Sequence, residues 1–211
     1  MGRDPLGVCL ELGRALEDAG FDYAVGGALA LGYWAVPRAT LDIDVGVDAD
    51  PLRIWDLIET MRRAGCELDP SKAFEAAQRG DFGARKDGVR IDVFLPNLEL
   101  ARAALERRVQ IELSGRKLWI VSAEDLALLK LMFGRTKDFA DLERLFALRA
   151  DSLDFDYLTR GVEDMFPVGD VRRVKFEELR EKSGLQSAVG RLGDDGRGVR
   201  NRSSRRKRRR R

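Results

Sequence analysis

Histidine is absent from this 211-residue chain, and cysteine occurs only twice. Without imidazole there is no Ser-His-Asp or Cys-His nucleophilic catalysis, no HExxH zinc chemistry and no His acid/base work. Any reaction run here must rest on carboxylates, Lys, Arg, Tyr or a metal. Cys9 and Cys66 form no CxxC, and their apolar neighbours predict buried free thiols. Long hydrophobic runs are missing too. Nothing approaches the ~18 apolar residues of a membrane span, and the opening MGRDPLGVCLELGR holds no signal-peptide apolar segment. The expectation is a cytoplasmic protein with no membrane association.

What is present is charge: 35% of residues, against 44% hydrophobic. The formal net charge of +2 hides a split. From Arg191 to the end stand eleven Lys and Arg and two Asp, which leaves 27 basic and 34 acidic residues before them, net −7. An acidic body therefore carries a strongly basic tail ending in Arg205-Arg-Lys-Arg-Arg-Arg-Arg211. The length suits one core with a helical appendage.

The stretch that organises the chain is VGGALALGYWAVPRATLDIDVGV, Val25 to Val47. It reads as a strand end, the Gly26-Gly27 turn, a short helix, an exposed loop, and a strand carrying Asp42 and Asp44. Alternation sends both carboxylates to one strand face and Leu41, Ile43 and Val45 to the other. Two carboxylates about 6–7 Å apart on one face are costly without a counter-charge. Oxygen-only ligands of this kind favour Mg²⁺ or Mn²⁺. A second alternating run, Val89 to Leu95, adds Asp92.

This order resembles the nucleotidyltransferase superfamily that includes DNA polymerase β: hG[GS], then Dx[DE], then a third acid on a later strand. The gap from Gly27 to Asp42, fourteen residues, is at the long end. The flavour "GGALAL…R.T.DIDV" looks most like the abortive-infection-type (AbiEii-like) bacterial nucleotidyltransferases, many of them toxins of toxin–antitoxin pairs. A second stretch, Ser122 to Leu142, is similar to their "DL…K…R.KD..DL" pattern through Lys130, Asp138 and Asp141. The resemblance spans roughly residues 20–148.

It implies Mg²⁺ (or Mn²⁺)-dependent transfer of NMP from an NTP such as ATP to a hydroxyl. Asp42, Asp44 and Asp92 would be metal ligands, Asp92 alternatively a base, and Lys130 a catalytic cation. Gly26 and Gly27, without Cβ atoms, would let backbone approach phosphate at a helix N-terminus. Arg38, Thr40, Asp138 and Asp141 would face the nucleotide. Each has a plainer use: Arg38 as a surface charge, Asp138 as a helix cap, Asp141 paired with Arg144 or Lys137. Tyr33 and Trp34 suit core packing or base stacking. The acceptor could be tRNA or other RNA, a protein, or a small molecule such as an aminoglycoside, and an antitoxin partner is implied for the toxin-like branch. An acidic body favours a cationic small molecule, whereas the tail favours nucleic acid. The alternative is a non-catalytic module of the same fold that holds nucleic acid with its tail, and the tail has a third reading as an end without a role.

The expected architecture is α+β (mixed α/β): a nucleotidyltransferase-type sheet core with flanking helices over 1–121, a helical lobe over 122–182, and a disordered basic tail over 183–211. Helices are expected over 6–19, 28–33, 50–64 (capped by Asp50 before Pro51), 98–107, 123–133 (capped by Ser122), 138–149, 155–159 and 171–182. Hairpins are expected across Lys86-Asp87-Gly88 and Ser114-Gly115-Arg116, and residues 66–81 show no clear pattern.

Overall fold

Alternating apolar residues make the central strands, and one-sided burial sets their pairing. The computed structural model describes residues 4–113 and 115–194, with side-chain surroundings to residue 184. Its elements are α1 (Pro5–Asp18), β1 (Asp22–Val25), α2 (Gly27–Trp34), β2 (Asp42–Asp48), α3 (Ile54–Arg63), α4 (Pro70–Ala77), β3 (Asp81–Lys86), β4 (Val89–Phe94), α5 (Glu99–Glu106), β5 (Val109–Leu113), β6 (Arg116–Ile120), α6 (Ala123–Phe133), α7 (Thr136–Arg149), α8 (Phe155–Met165) and α9 (Val171–Asp194). The mixed α/β class expected from the sequence is the class observed.

The strands form one sheet in the order β3-β4-β2-β1-β6-β5. β2 and β4 pair in parallel, as do β1 and β6, and the other neighbours are antiparallel. Tyr23, Ile43, Val45, Val47, Ile91 and Val93 are buried on one sheet face. α1 and α3 pack together on this side, with Leu12, Leu16, Leu57, Ile58 and Met61 fully buried. On the other face Ala24 lies opposite Gly46, and these small residues let Leu105 of α5 come close to the sheet. That same face carries Asp42 and Asp44. α6 leans on α5 and α2, and α7, α8 and α9 gather around it.

Several local expectations meet their elements. The β3–β4 turn has Asp87 at φ 51° and Gly88 at φ 82°, the paired left-handed geometry of a tight hairpin. Ser122 accepts from the Asp125 amide at 3.0 Å and starts α6. Both thiols are buried and free, and burial pushes Cys9 up to about 12 and Cys66 to about 11. Among the described residues no helix is long and apolar enough to cross a membrane.

Others need correction. Leu41 is not in the core: it stands before β2, 80% exposed. Asp50-Pro51 opens a 3₁₀ turn, Pro51–Arg53, ahead of α3. The unpatterned 66–81 region contains α4, capped by Asp69, whose carboxylate accepts from the Ser71 and Lys72 amides. Asp69-Pro70 is the same start signal as Asp50-Pro51 and was legible. α8 continues past Thr159 to Met165. α9 runs on to Asp194, beyond Ser183 where a disordered tail was expected. Ser114 and the arginine-rich end lie outside the described residues.

Candidate active site

The parallel register of β2 and β4 puts Asp42 opposite Arg90 and Asp44 opposite Asp92. Because residues two apart share a strand face, these four side chains form a square of three carboxylates and one guanidinium. Asp42 sits at the exposed end of β2 and Asp44 deeper, at intermediate burial. Burial, then the charges of Asp92 and Asp42, push the Asp44 carboxyl above its ordinary value, with Lys130 and Lys137 pulling the other way. The three predicted carboxylates are therefore neighbours, and their negative charge is not fully balanced.

Gly27 stands at φ 55°, and a Cβ there would lie 1.8 Å from Asp44 Oδ2. The space a side chain would need is filled by the Asp44 carboxylate, so this glycine first makes room for the acid rather than for a phosphate. Gly26 donates its N–H to Asp44 O at 2.8 Å, tying the turn to the same strand. Gly27→Val is expected to destabilise the fold by about 1–2 kcal/mol through left-handed strain alone, and to push Asp44 out of place. Thermal unfolding and metal titration together check this; a variant matching wild type in both contradicts it.

The helical side supplies a buried ion cluster. Lys130 is 5% exposed, with Nζ 2.7 Å from Asp141 Oδ2 and 3.6 Å from Asp138 Oδ1. Asp141, 1% exposed, also accepts from Arg38 through Nε at 3.3 Å and Nη2 at 3.2 Å, and from Arg144 at 3.3 Å. Burial raises its carboxyl, but the bonds and charges of Lys130 and Arg38 outweigh that and hold it below the ordinary value. These pairs therefore contribute stability above about pH 4, lost as pH falls through the depressed folded value. Asp138 accepts from the Arg135 amide and Nε at the start of α7.

The plainer expectations for Asp138 and Asp141 thus describe contacts that are present: a helix cap, and a pair with Arg144. The apolar segment around Lys130 required a carboxylate or a phosphate for the ammonium, and it has two carboxylates. Arg38 is no free surface charge, since it clamps the loop before β2 to α7. The Thr40 hydroxyl is used locally, accepting from the Asp42 amide at 3.3 Å. Trp34 serves packing, donating Nε1 to Val121 O at 2.8 Å, while Tyr33 meets it edge-on and stays exposed.

A cavity of about 310 Å³ opens beside the square. Gly26, Gly27, Asp44, Lys130 and Asp138 line it, whereas Asp42, Asp92, Arg38, Thr40 and Asp141 do not. Its far walls are mainly apolar, including Leu98, Ala101, Leu105, Met132 and Phe133. Arg79, Asp81 and Arg135 also reach it and were not anticipated. Nor was Arg90, although its place two residues before Asp92 on one strand was a legible signal.

A family described as a nucleotidyltransferase of unknown function, DUF6036, matches residues 22–182. The chain belongs to this family. Its matched span covers the Gly-Gly turn, all three aspartates and the Lys130 helix. No curated protein matches the chain. Solved structures similar to this DUF6036 nucleotidyltransferase include an antigenic nucleotidyltransferase-like protein from Paracoccidioides brasiliensis, 18% identical over 90% of this chain and 94% of that one, TM-score 0.49. Another is ANT(2")-Ia in complex with adenylyl-2"-tobramycin, 17% identical over 90% and 99%, TM-score 0.45. JHP933 from Helicobacter pylori is 12% identical over 90% and 96%, TM-score 0.41.

Nucleotidyltransferases generally use a divalent metal, and the residues here would suit one by donor type and by charge: oxygen ligands only, on a square whose half-buried Asp44 carboxyl is raised by burial and by its acidic neighbours. As the side chains stand, no three acids among the described residues converge on one point. Asp92 is turned to Arg90, whose Nε donates to Oδ1 at 2.9 Å.

Proposed function

We propose that this chain is a metal-dependent nucleotidyltransferase that moves NMP from an NTP to an acceptor hydroxyl. The observation that carries the reading is the Asp42–Asp44–Asp92 group beside a Gly-Gly turn, with the Asp44 carboxyl raised by burial and then by its acidic neighbours. In the transfer, the acceptor oxygen bonds to the α-phosphorus, the bond to the β-phosphate oxygen breaks, and pyrophosphate leaves. Asp42, Asp44 and Asp92 would hold the cation, which when bound neutralises the triphosphate and makes the acceptor hydroxyl more acidic. Alternatively, Asp92 would take the hydroxyl proton as base, once its carboxylate is free of Arg90.

The chain's own groups do the rest. The N-terminal turn of α2 lies on the cavity wall through Gly26 and Gly27, where free backbone N–H groups would favour an anion. Lys130 and Arg135, both on the cavity wall and each paired with a buried aspartate, would turn their remaining N–H donors to phosphate oxygens. Residues 1–121 act as the catalytic core and 122–182 as the lobe that brings these cations to it.

For the acceptor, the cavity weighs against a polycation. Asp44, Asp81 and Asp138 are matched there by Arg79, Lys130 and Arg135, and the remaining wall is largely apolar. That composition favours an RNA end or an uncharged small molecule over an aminoglycoside. The non-catalytic alternative, a module holding nucleic acid by its basic tail, depends on residues outside those described. Deleting residues 195–211, rather than cutting into α9, should leave the melting temperature unchanged and flatten the salt dependence of any RNA binding.

Calorimetric titration with Mg²⁺ and each NTP separates the two readings. Wild type is expected to bind an NTP only with the metal present, and a variant with Asp42 and Asp44 both changed to Asn should lose that dependence. Equal, metal-independent binding by both proteins overturns the transferase reading.

A further inference from the structure

One cation stands inside the carboxylate square, and none of the roles above uses it. Arg90 lies abreast of Asp42 across the β2–β4 ladder and two residues before Asp92 on the same face. Its Nε donates to Asp92 Oδ1 at 2.9 Å, and the charges of Asp42 and Asp44 act on it as well. The guanidinium is a little over half exposed, so it is free to swing, while Asp92 is more enclosed. The pair is consequently weak enough to exchange: exposed ion pairs of this type are worth a factor of about two to five in an equilibrium.

We propose that Arg90 is a positioning residue that competes with the divalent cation for Asp92 in the nucleotide-free protein and transfers to a phosphate of the arriving NTP. The inference rests on the transferase reading above and assigns a role within it. Three observations carry it. The register fixes Arg90 within the square whatever rotamer it takes, since strand pairing sets where its Cβ stands. The guanidinium on Asp92 Oδ1 partly neutralises the carboxylate, so a cation arriving there meets a like charge and a weaker ligand. Among the described residues, Nε is the only nitrogen of the Arg90 guanidinium with a hydrogen bond, which leaves the rest of the guanidinium fork for the planar, two-point contact that arginine makes with phosphate. Metal and triphosphate would then load together: the nucleotide draws Arg90 away, and Asp92 turns to the cation.

This ordering predicts two changes of opposite sign in one variant. Arg90→Gln should bind Mn²⁺ without nucleotide about two to ten times more tightly than wild type, because a competing positive charge is gone. The same variant should bind the NTP–Mn²⁺ pair more weakly, by about tenfold, having lost a phosphate contact. Arg90→Lys keeps the charge and should leave metal affinity near wild type, while losing part of the NTP affinity. Mn²⁺ binding is read by electron paramagnetic resonance of the free ion, NTP binding by calorimetry, and thermal unfolding verifies that each variant is folded. Tighter metal and weaker nucleotide in Arg90→Gln support the assignment. If Arg90→Gln and wild type bind Mn²⁺ alike while Asp44→Asn binds it poorly, the Arg90 role is wrong and the transferase reading stands. If none of the three binds Mn²⁺, with or without NTP, both fall.

Discussion

Asp44→Asn is expected to melt higher than wild type in metal-free buffer and to transfer no nucleotide. The two effects have one origin. Asp44 lies between Asp42 and Asp92 on a half-buried sheet face, and burial and both neighbours raise its carboxyl above the ordinary range. A group shifted that way costs the fold stability once it ionises. The folded protein binds its proton more tightly than the unfolded chain does, so stability falls as pH climbs from about 3.9 through the raised folded value. Asparagine keeps the shape and removes the charge. Its advantage, on the order of 1 kcal/mol from like-charge repulsion at this range, should be full near neutral pH and vanish below about pH 4. Activity should go the other way, falling at least a hundredfold for a lost charge at the reacting centre. A variant that melts lower at pH 7 in chelator would mean that Asp44 is a structural acid.

Lys130→Met is expected to lose both stability and activity. Were Lys130 an unpaired ammonium in an apolar segment, methionine would replace it with little harm, since no charge would then need desolvation. The buried cluster gives the opposite expectation. Removing Nζ leaves Asp141 and Asp138, 1% and 2% exposed, short of their shared partner. Breaking a buried pair from one side costs roughly 3–5 kcal/mol. Arg38 and Arg144 still serve Asp141, and Arg135 still serves Asp138, so the lower end is expected. For a chain of this size that is about 6–12 °C in melting temperature. Adding Asp141→Asn to Lys130→Met should recover part of the loss by removing the stranded charge. Should the double variant be no more stable than Lys130→Met alone, the ion cluster is not what holds α6 to α7.

The sheet half of the fold was legible because its signals are local. Gly-Gly, a DxD on an alternating strand and a Gly-containing hairpin turn each fix backbone within a few residues, and β1, β2, β3 and β4 follow. What was not legible depends on register and on contacts across the chain. Asp42 faces Arg90 only because β2 and β4 align in parallel over a long connection. Arg38 reaches Asp141 across 103 residues. Asp125 reads as a cap neighbour, yet it is fully buried and gathers Ser122, Arg107 and Tyr157 from three segments. The role of Gly27 shifted for the same reason, since only the packed structure puts the Asp44 carboxylate where its Cβ would be.

The central claim is that Asp42 and Asp44 support nucleotidyl transfer. Its most direct test incubates the protein and Mg²⁺ with each α-labelled NTP and total cellular RNA or small-molecule extract, following label incorporation and pyrophosphate release. Wild type should transfer label with stoichiometric pyrophosphate, and the variant with both aspartates changed to Asn should transfer none while remaining folded. Equal transfer by the two proteins would contradict the account.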